Sequence, residues 1–303
     1  MSLLVVGSVA FDSVETPFGK VENVLGGSGV YFSTAASFFT DVRLVAVVGQ
    51  DFPQEHIDFL KSRRVDVSGL EKADGKTFRW KGEYSYALNE AKTLDTQLNV
   101  FQNFKPNLPQ NYRDSEIVFL ANIDPVLQRE VLSQVKKPKL VACDTMNFWI
   151  DSKRAELIET LRLVDILIIN DGEARDLSKE VNLVKAAQVI RAFGPKTLII
   201  KRGEYGVLLF NEEGIFSIPA FPLENVFDPT GAGDSFAGGF IGYLTKSKKF
   251  DSAHIRKAIV FGSVVASFNV EDFSLNRMKN LSAEEINKRY KEFKKITHFE
   301  DLE

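Results

Sequence analysis

Cysteine is almost absent: Cys143 is the only one in 303 residues. An intrachain disulfide and a cysteine-rich metal site are thereby excluded, and a reducing cytosol fits. Its setting, Lys139-Leu-Val-Ala-Cys-Asp144, reads as a buried strand thiol. Histidine is nearly as scarce. His56, His254 and His298 fall in helical or terminal stretches with no partner spacing, which argues against a histidine-based or zinc-based mechanism. No apolar run approaches the roughly 18 residues of a membrane span, and the start, Met1-Ser-Leu-Leu-Val-Val-Gly7, has no basic region and meets Asp12 early. The chain is therefore expected to be soluble and cytoplasmic. Charge of one sign is also lacking: 38 Lys and Arg stand against 41 Asp and Glu, and the basic residues are scattered, so neither a nucleic acid nor a membrane surface is an expected partner. Finally, no Gly-x-Gly-x-x-Gly follows the first strand and no Gly-x-x-x-x-Gly-Lys-Ser/Thr occurs, which disfavours a dinucleotide fold and a P-loop.

What is present is a rhythm of short apolar runs: Leu3 to Val6, Arg43 to Val48, Ile117 to Leu120, Leu140 to Cys143, Ile166 to Ile169 and Thr197 to Ile200. Helical periodicity separates several of them, as at Pro53 to Arg63, Val126 to Val135 and Val181 to Phe193. Buried strands alternating with helices predict an α/β fold, an open, mostly parallel sheet flanked by helices on both faces. Ligands bind beyond the C-terminal strand ends of such sheets, and Asp12, Asp144, Asn170 and Lys201 fall there. Two segments break the rhythm. Thr77 to Leu88 alternates with period two, Phe78, Trp80, Gly82, Tyr84, Tyr86 and Leu88 on one face, which predicts a half-buried antiparallel strand. With Ala10 to Val24 and Leu94 to Phe101 it is expected to form a small sheet on the main domain. Its aromatic face can pack on the domain, pack on a second subunit, or close over a substrate. The tail, Ser282 to Thr297, is expected to be a charged outer helix with Ser282 as N-cap and Glu285 three residues on.

One stretch carries the chemistry: Asp228-Pro-Thr-Gly231-Ala232-Gly233-Asp234-Ser-Phe-Ala-Gly-Gly-Phe240. Small residues lead into an apolar run of helical spacing, which places Gly231 to Gly233 at a helix N-terminus. Free N–H groups and the positive end of the helix dipole attract anions there, and glycine admits a phosphate closely. A carboxylate beside such a cradle, Asp234, reads as a general base next to a phosphoryl group. The plainer alternative is a tight turn with a capping acid.

The full string resembles, almost position by position, the C-terminal signature of the ribokinase-like (PfkB) carbohydrate kinase family. The resemblance spans nearly the whole chain and implies a single ribokinase-like domain over 1–303, with an inserted β lid formed by about 10–24 and 70–101. It implies ATP and Mg²⁺, with Asp234 as general base and the Gly231, Ala232 and Gly233 amides as anion hole. Gly26 and Gly27, before a helix through Phe39, are similar to the glycine pair of the N-terminal signature and imply contact with the acceptor, as does Asp12. Where the family has Asn, this chain has Tyr31. Asn170 and Glu173 resemble the family's Asn-x-x-Glu, which organises magnesium through water; the alternative is a capping box. Lys201, Gly203 and Gly206 resemble its Gly-x-x-Gly nucleotide loop near ribose and phosphates; the alternative, compatible one is a hairpin turn. Asp228 and Thr230 match positions that surround a monovalent cation, potassium, in some relatives, or else shape the turn. Asp144 to Asn147 departs from the family spelling and receives no role. The implied activity is transfer of the γ-phosphoryl group of ATP to a hydroxyl of a small sugar or sugar derivative. A nucleoside acceptor is the alternative, with Tyr31 and the aromatic lid face suited to base stacking, and a catalytically silent nucleotide- or sugar-binding regulator is the alternative of another class. A nicotinamide-dependent dehydrogenase lacks its fingerprint. Several relatives dimerise through the lid, so a homodimer is a further expectation.

Overall fold

The computed structural model describes residues 1–300. Strand β1 (Leu3–Val6) shows why the sheet is buried on both sides: Leu3 and Val5 enter one core, Leu4 and Val6 the other, and all four are fully buried. The chain then forms a hairpin of β2 (Ala10–Thr16) and β3 (Gly19–Gly26), helix α1 (Ser28–Ala36), β4 (Val42–Val48), α2 (Gln54–Ser62), β5 (Val65–Lys72), β6 (Phe78–Tyr84) and β7 (Ala91–Gln97). Alternation continues with β8 (Ile117–Leu120), α3 (Pro125–Gln134), β9 (Leu140–Cys143), α4 (Asn147–Ser152), α5 (Arg154–Leu161), β10 (Ile166–Asn170), α6 (Asp171–Ser178), α7 (Leu183–Ala192) and β11 (Thr197–Lys201). A hairpin, β12 (Val207–Asn211) and β13 (Gly214–Ile218), precedes α8 (Ala232–Ser247), α9 (Ser252–Asn269), α10 (Asn276–Lys279) and α11 (Ala283–Ile296).

The large sheet has nine strands in the order β13-β12-β11-β10-β9-β8-β1-β4-β5. From β5 to β11 every neighbouring pair is parallel, and only β12 runs against the others, antiparallel to both β11 and β13. Helices α1, α8 and α9 cover one face with Phe32, Phe236, Phe240 and Ile259, while α3, α5, α6 and α7 cover the other with Val131, Leu157, Leu177 and Ile190. All six expected strands form, each within a residue or so of the apolar run that announced it. Helix α11 carries the expected capping box between Ser282 and Glu285.

The small sheet has the order β3-β2-β6-β7. It differs from the expectation in three ways. Strand β6 is antiparallel to β7 but parallel to β2, because a long excursion through the large sheet separates β3 from β6. The alternation ends at Tyr84: residues 85–90 turn back towards β7, so Tyr86 is exposed and Leu88 adopts a positive φ of 53°. Residues 70–72, assigned above to the lid, lie instead in β5 at the edge of the large sheet, beside β4.

Candidate active site

The chain leaves β1 for β4 and β5 on one side and later returns to β8 through β11 on the other. The crevice beyond the carboxyl ends of these strands is where such a sheet receives ligands. Asp12, Asp144, Asn170 and Lys201 surround it, and α8 begins across from them.

The entry to α8 is held rigidly. Asp228 is fully buried, and its two oxygens accept the N–H groups of Thr230 (2.9 Å) and Ser274 (3.1 Å). Asn269 donates to the Thr230 carbonyl (2.9 Å) and meets the Ser235 hydroxyl (3.1 Å), which ties the turn to α9. The turn-shaping reading of Asp228 thus has direct geometry behind it. Gly231 caps the helix at φ 74°, and a methyl group there would sit 2.4 Å from the ring of Tyr31. Only glycine meets both demands. Of the three amides expected to face an anion, that of Ala232 instead donates to the Pro229 carbonyl (3.1 Å). The N–H groups of Gly231 and Gly233 have no such partner among the described residues.

Tyr31 accordingly lies beneath the glycine turn, 1 % exposed, and cannot stack on a base as the sequence suggested. Its hydroxyl is buried without a hydrogen-bond partner among the described residues. Burial, with the charges of Asp12 and Asp228 adding, raises its pKa far above the usual tyrosine value.

Four carboxylates and one ammonium meet around the crevice. Asp234, in the first turn of α8, has its pKa raised to about 7, mainly by desolvation and further by Asp144, against the pull of Lys201. Asp12, 4 % exposed near the start of β2, is likewise raised to about 7 by burial, opposed by the Gly27 backbone and helped by Asp228 and Asp234. A methyl group on Gly26 would strike the Asp12 carboxylate, so the glycine pair and Asp12 form one wall. Glu173 is raised to about 8 by burial and by Asp144. Its carboxylate and the Asn170 side chain close a capping box on α6, each accepting the other's N–H at 2.7 Å, so the capping alternative holds while both remain at the crevice. Lys201 Nζ stands 3.8 Å from Asp144 Oδ2. The loop at Gly203 and Gly206 is a turn joining β11 to β12, with Arg202 N–H donating to the Gly206 carbonyl at 2.8 Å.

The small sheet reaches across this crevice. By strand alternation, Asp12 on β2 and its β6 neighbours Trp80, Gly82 and Tyr84 share the inner face. The Tyr84 hydroxyl meets Thr230 Oγ1 at 3.3 Å, and the 85–90 turn places Asn89 against Gly203. Sequence reasoning missed Asn89, since nothing in an isolated Asn marks a contact made over so large a separation. A cavity of about 500 Å³ lined by Phe11, Asp51, His56 and Arg79 lies on the opposite face, where Phe11 and Arg79 alternate with Asp12 and Trp80. Its arginine is already paired with Asp51 at 2.8 Å.

A helix start with free amides and a carboxylate in its first turn, across a crevice from a second carboxylate, is an arrangement suited to phosphoryl transfer, and comparison gives the class, a phosphotransferase with an alcohol acceptor. The family model described as pfkB family carbohydrate kinase matches residues 2–280, and the chain belongs to that family. It is a sugar or nucleoside kinase. Among curated relatives, the cytidine kinase of Thermococcus kodakarensis is 31 % identical over 261 residues, covering 83 % of this chain and 91 % of the relative. Among solved structures, the nucleoside kinase of Methanocaldococcus jannaschii superposes with a TM-score of 0.77 at 21 % identity, covering 96 % of this chain and 99 % of that one. The aminoimidazole riboside kinase of Salmonella enterica, solved with aminoimidazole riboside and an ATP analog, gives 0.75 at 19 % identity, with 96 % and 100 % covered. Both share the ribokinase fold described above. No helix among the described residues is long and apolar enough to cross a membrane.

Proposed function

We propose that the protein is an ATP-dependent nucleoside kinase, with Asp234 as the base that takes the proton of an acceptor hydroxyl. The observation that carries this reading is the placement of Asp234 in the first turn of α8, next to the unpartnered Gly233 amide and across from Asp12. In phosphoryl transfer the protein positions two oxygens in line and neutralises charge, and little covalent chemistry falls to it. A pKa near 7 suits a base that must be ionised at neutral pH yet able to accept a proton. The amides of Gly231 and Gly233 would face the transferring group, and Asp12 with Gly26 and Gly27 would hold the acceptor's sugar hydroxyls. Lys201, Gly203 and Gly206 would contact the nucleotide.

Magnesium fits the residues present. Among the described residues, no group of three ligating side chains forms a protein cage, whereas the oxygen-rich rim of Asn170 and Glu173 suits an ion that keeps its waters and rides on phosphates. When bound, the ion would neutralise phosphate charge. Potassium has no comparable support, because Asp228 and Thr230 already hold the turn. The chain is taken as one kinase unit in which the small sheet, 10–26 with 78–97, acts as the lid. Dimerisation through its exposed edge strand β7 rests on the family resemblance, and sedimentation velocity checks it.

The choice of a nucleoside rests on the cytidine kinase relative and on the inward aromatic pair Trp80 and Tyr84. A simple sugar is the second reading, supported by the hydroxyl-binding wall of Asp12 and Gly26. ADP release with Mg-ATP across pyrimidine nucleosides, purine nucleosides, ribose, ketoses and sugar acids separates them. Turnover confined to nucleosides, and lost in Asp234→Asn, is expected. Turnover on free sugars alone overturns the acceptor assignment, and ATP binding without any acceptor-stimulated release favours the silent regulator.

A further inference from the structure

We infer that Lys201, held in place by Asp144, meets the terminal phosphoryl group of ATP during transfer. This rests on the kinase reading above, and it narrows the expectation from sequence, in which Lys201 belonged to a loop near ribose and phosphates alike.

Three observations converge. First, Lys201 ends β11 and its side chain reaches across the crevice to α8: a methyl carbon on Gly233 would lie 2.8 Å from Nζ. An ammonium against the positive end of a helix is repelled unless an anion lies between them, so the two features call for the same guest. Second, the ammonium makes no direct hydrogen bond within the described residues. Its nearest carboxylate oxygen, on Asp144, is 3.8 Å away, beyond hydrogen-bond length. Third, burial alone would pull its pKa down, but Asp144, Glu173 and Asp234 together raise it above the usual lysine value, so it stays charged throughout. Asp144 is itself anchored, its N–H on the Leu120 carbonyl (2.9 Å) and its carboxylate accepting from Thr145 N–H (2.8 Å). The motif Asp144 to Asn147, which had no role in the sequence reading, thereby acquires one: Asp144 is a positioning residue for the ammonium.

In the step itself, the bond from the acceptor oxygen to phosphorus forms as the bond to the ADP oxygen breaks. The hydroxyl proton passes to Asp234, and Lys201 keeps all its protons while donating to the phosphoryl oxygens.

The test is titration calorimetry of Mg-ATP and Mg-ADP without acceptor, together with steady-state kinetics, on the wild type, Lys201→Met, Lys201→Arg, Asp144→Asn and the double variant. A charge-assisted contact to the terminal phosphate should make the wild type favour Mg-ATP over Mg-ADP by roughly tenfold or more. Lys201→Met should bring that ratio close to one and lower kcat by roughly 100-fold or more, with Lys201→Arg retaining part of both. Asp144→Asn should fall between, and the double variant should be no worse than Lys201→Met, since both act through one ammonium. Equal loss of ATP and ADP affinity in Lys201→Met would assign the lysine to the inner phosphates or ribose and overturn the inference, as would an unchanged kcat. Additive losses in the double variant would remove Asp144 from the role. Failure of the kinase reading looks different: the wild type would then show no acceptor-stimulated ADP release even though its preference for ATP over ADP depended on Lys201.

Discussion

Replacing Asp12 by Asn should make the empty enzyme more stable, by about 4 kcal/mol at pH 8 and by less than half of that at pH 5, while weakening acceptor binding. Asp12 is 4 % exposed, and its folded pKa is raised from 3.8 to about 7. For an acid raised in this way the unfolded chain releases its proton first, so stability falls as pH climbs from the unfolded value to the folded one and is flat above it. At about 1.36 kcal/mol per pKa unit, the full penalty of the ionised carboxylate is about 4 kcal/mol above neutral pH. Between pH 5 and pH 8 the penalty grows by about 2.5 kcal/mol. An Asn of the same shape never ionises, so the variant's advantage over wild type should grow by that amount across the same range. Urea unfolding at pH 5, 6, 7 and 8 measures it. At pH 8 the acceptor KM should rise at least tenfold, because a charge-assisted hydrogen bond to a sugar hydroxyl is lost. A stability difference that does not vary with pH, or a variant less stable at pH 8, would refute the account of a desolvated carboxylate kept for its ligand.

Gly231→Ala forces a left-handed alanine against the Tyr31 ring, and should destabilise by about 2–5 kcal/mol and abolish turnover; a melting temperature within a degree of wild type would contradict the packing described. Tyr31→Phe removes a buried hydroxyl without a partner, so chemical denaturation should show it neutral or slightly stabilised, with kcat unchanged. The acid limb of kcat/KM should rise through a midpoint near 7 as Asp234 ionises, and should vanish with the residual activity of Asp234→Asn, which is expected at about one-hundredth of wild type or less while Mg-ATP still binds.

The six principal strands were legible because strands buried on both faces must be apolar throughout, and Leu3–Val6 or Ile117–Leu120 has no other use. Strand β5 was not, since its apolar positions Val65, Val67 and Leu70 are interrupted by Asp66, Ser68 and Glu71 at a half-covered edge. The parallel pairing of β2 with β6 escaped for a different reason: register across a long insertion is set by tertiary contacts and leaves no local mark. At the site, the glycine turn and Asp234 could be read because an anion cradle requires those residue types at that spacing. The fate of Tyr31 could not, because whether a ring faces a ligand or the underside of a glycine depends on helix α1 docking against α8. Lys201 was placed on the correct strand end, but the length of its side chain carries its charge to another element altogether.

The residues proposed for the two substrates belong to different pieces of the chain. Asp12 rides on β2 in the small sheet, whereas Asp234, Lys201 and the amides of α8 are fixed to the large one. Contacts that join the two across the crevice include Tyr84 with Thr230, Asn89 with Gly203, Phe18 with Phe227 and the Ser274 hydroxyl donating to the Leu25 carbonyl at 2.7 Å. On that assignment the molecule would work as a pair of jaws with one reactant in each. Alcohol and phosphate would then come within bonding distance only on the bite, and a water molecule, having nothing for the upper jaw to grip, would give no reason to close.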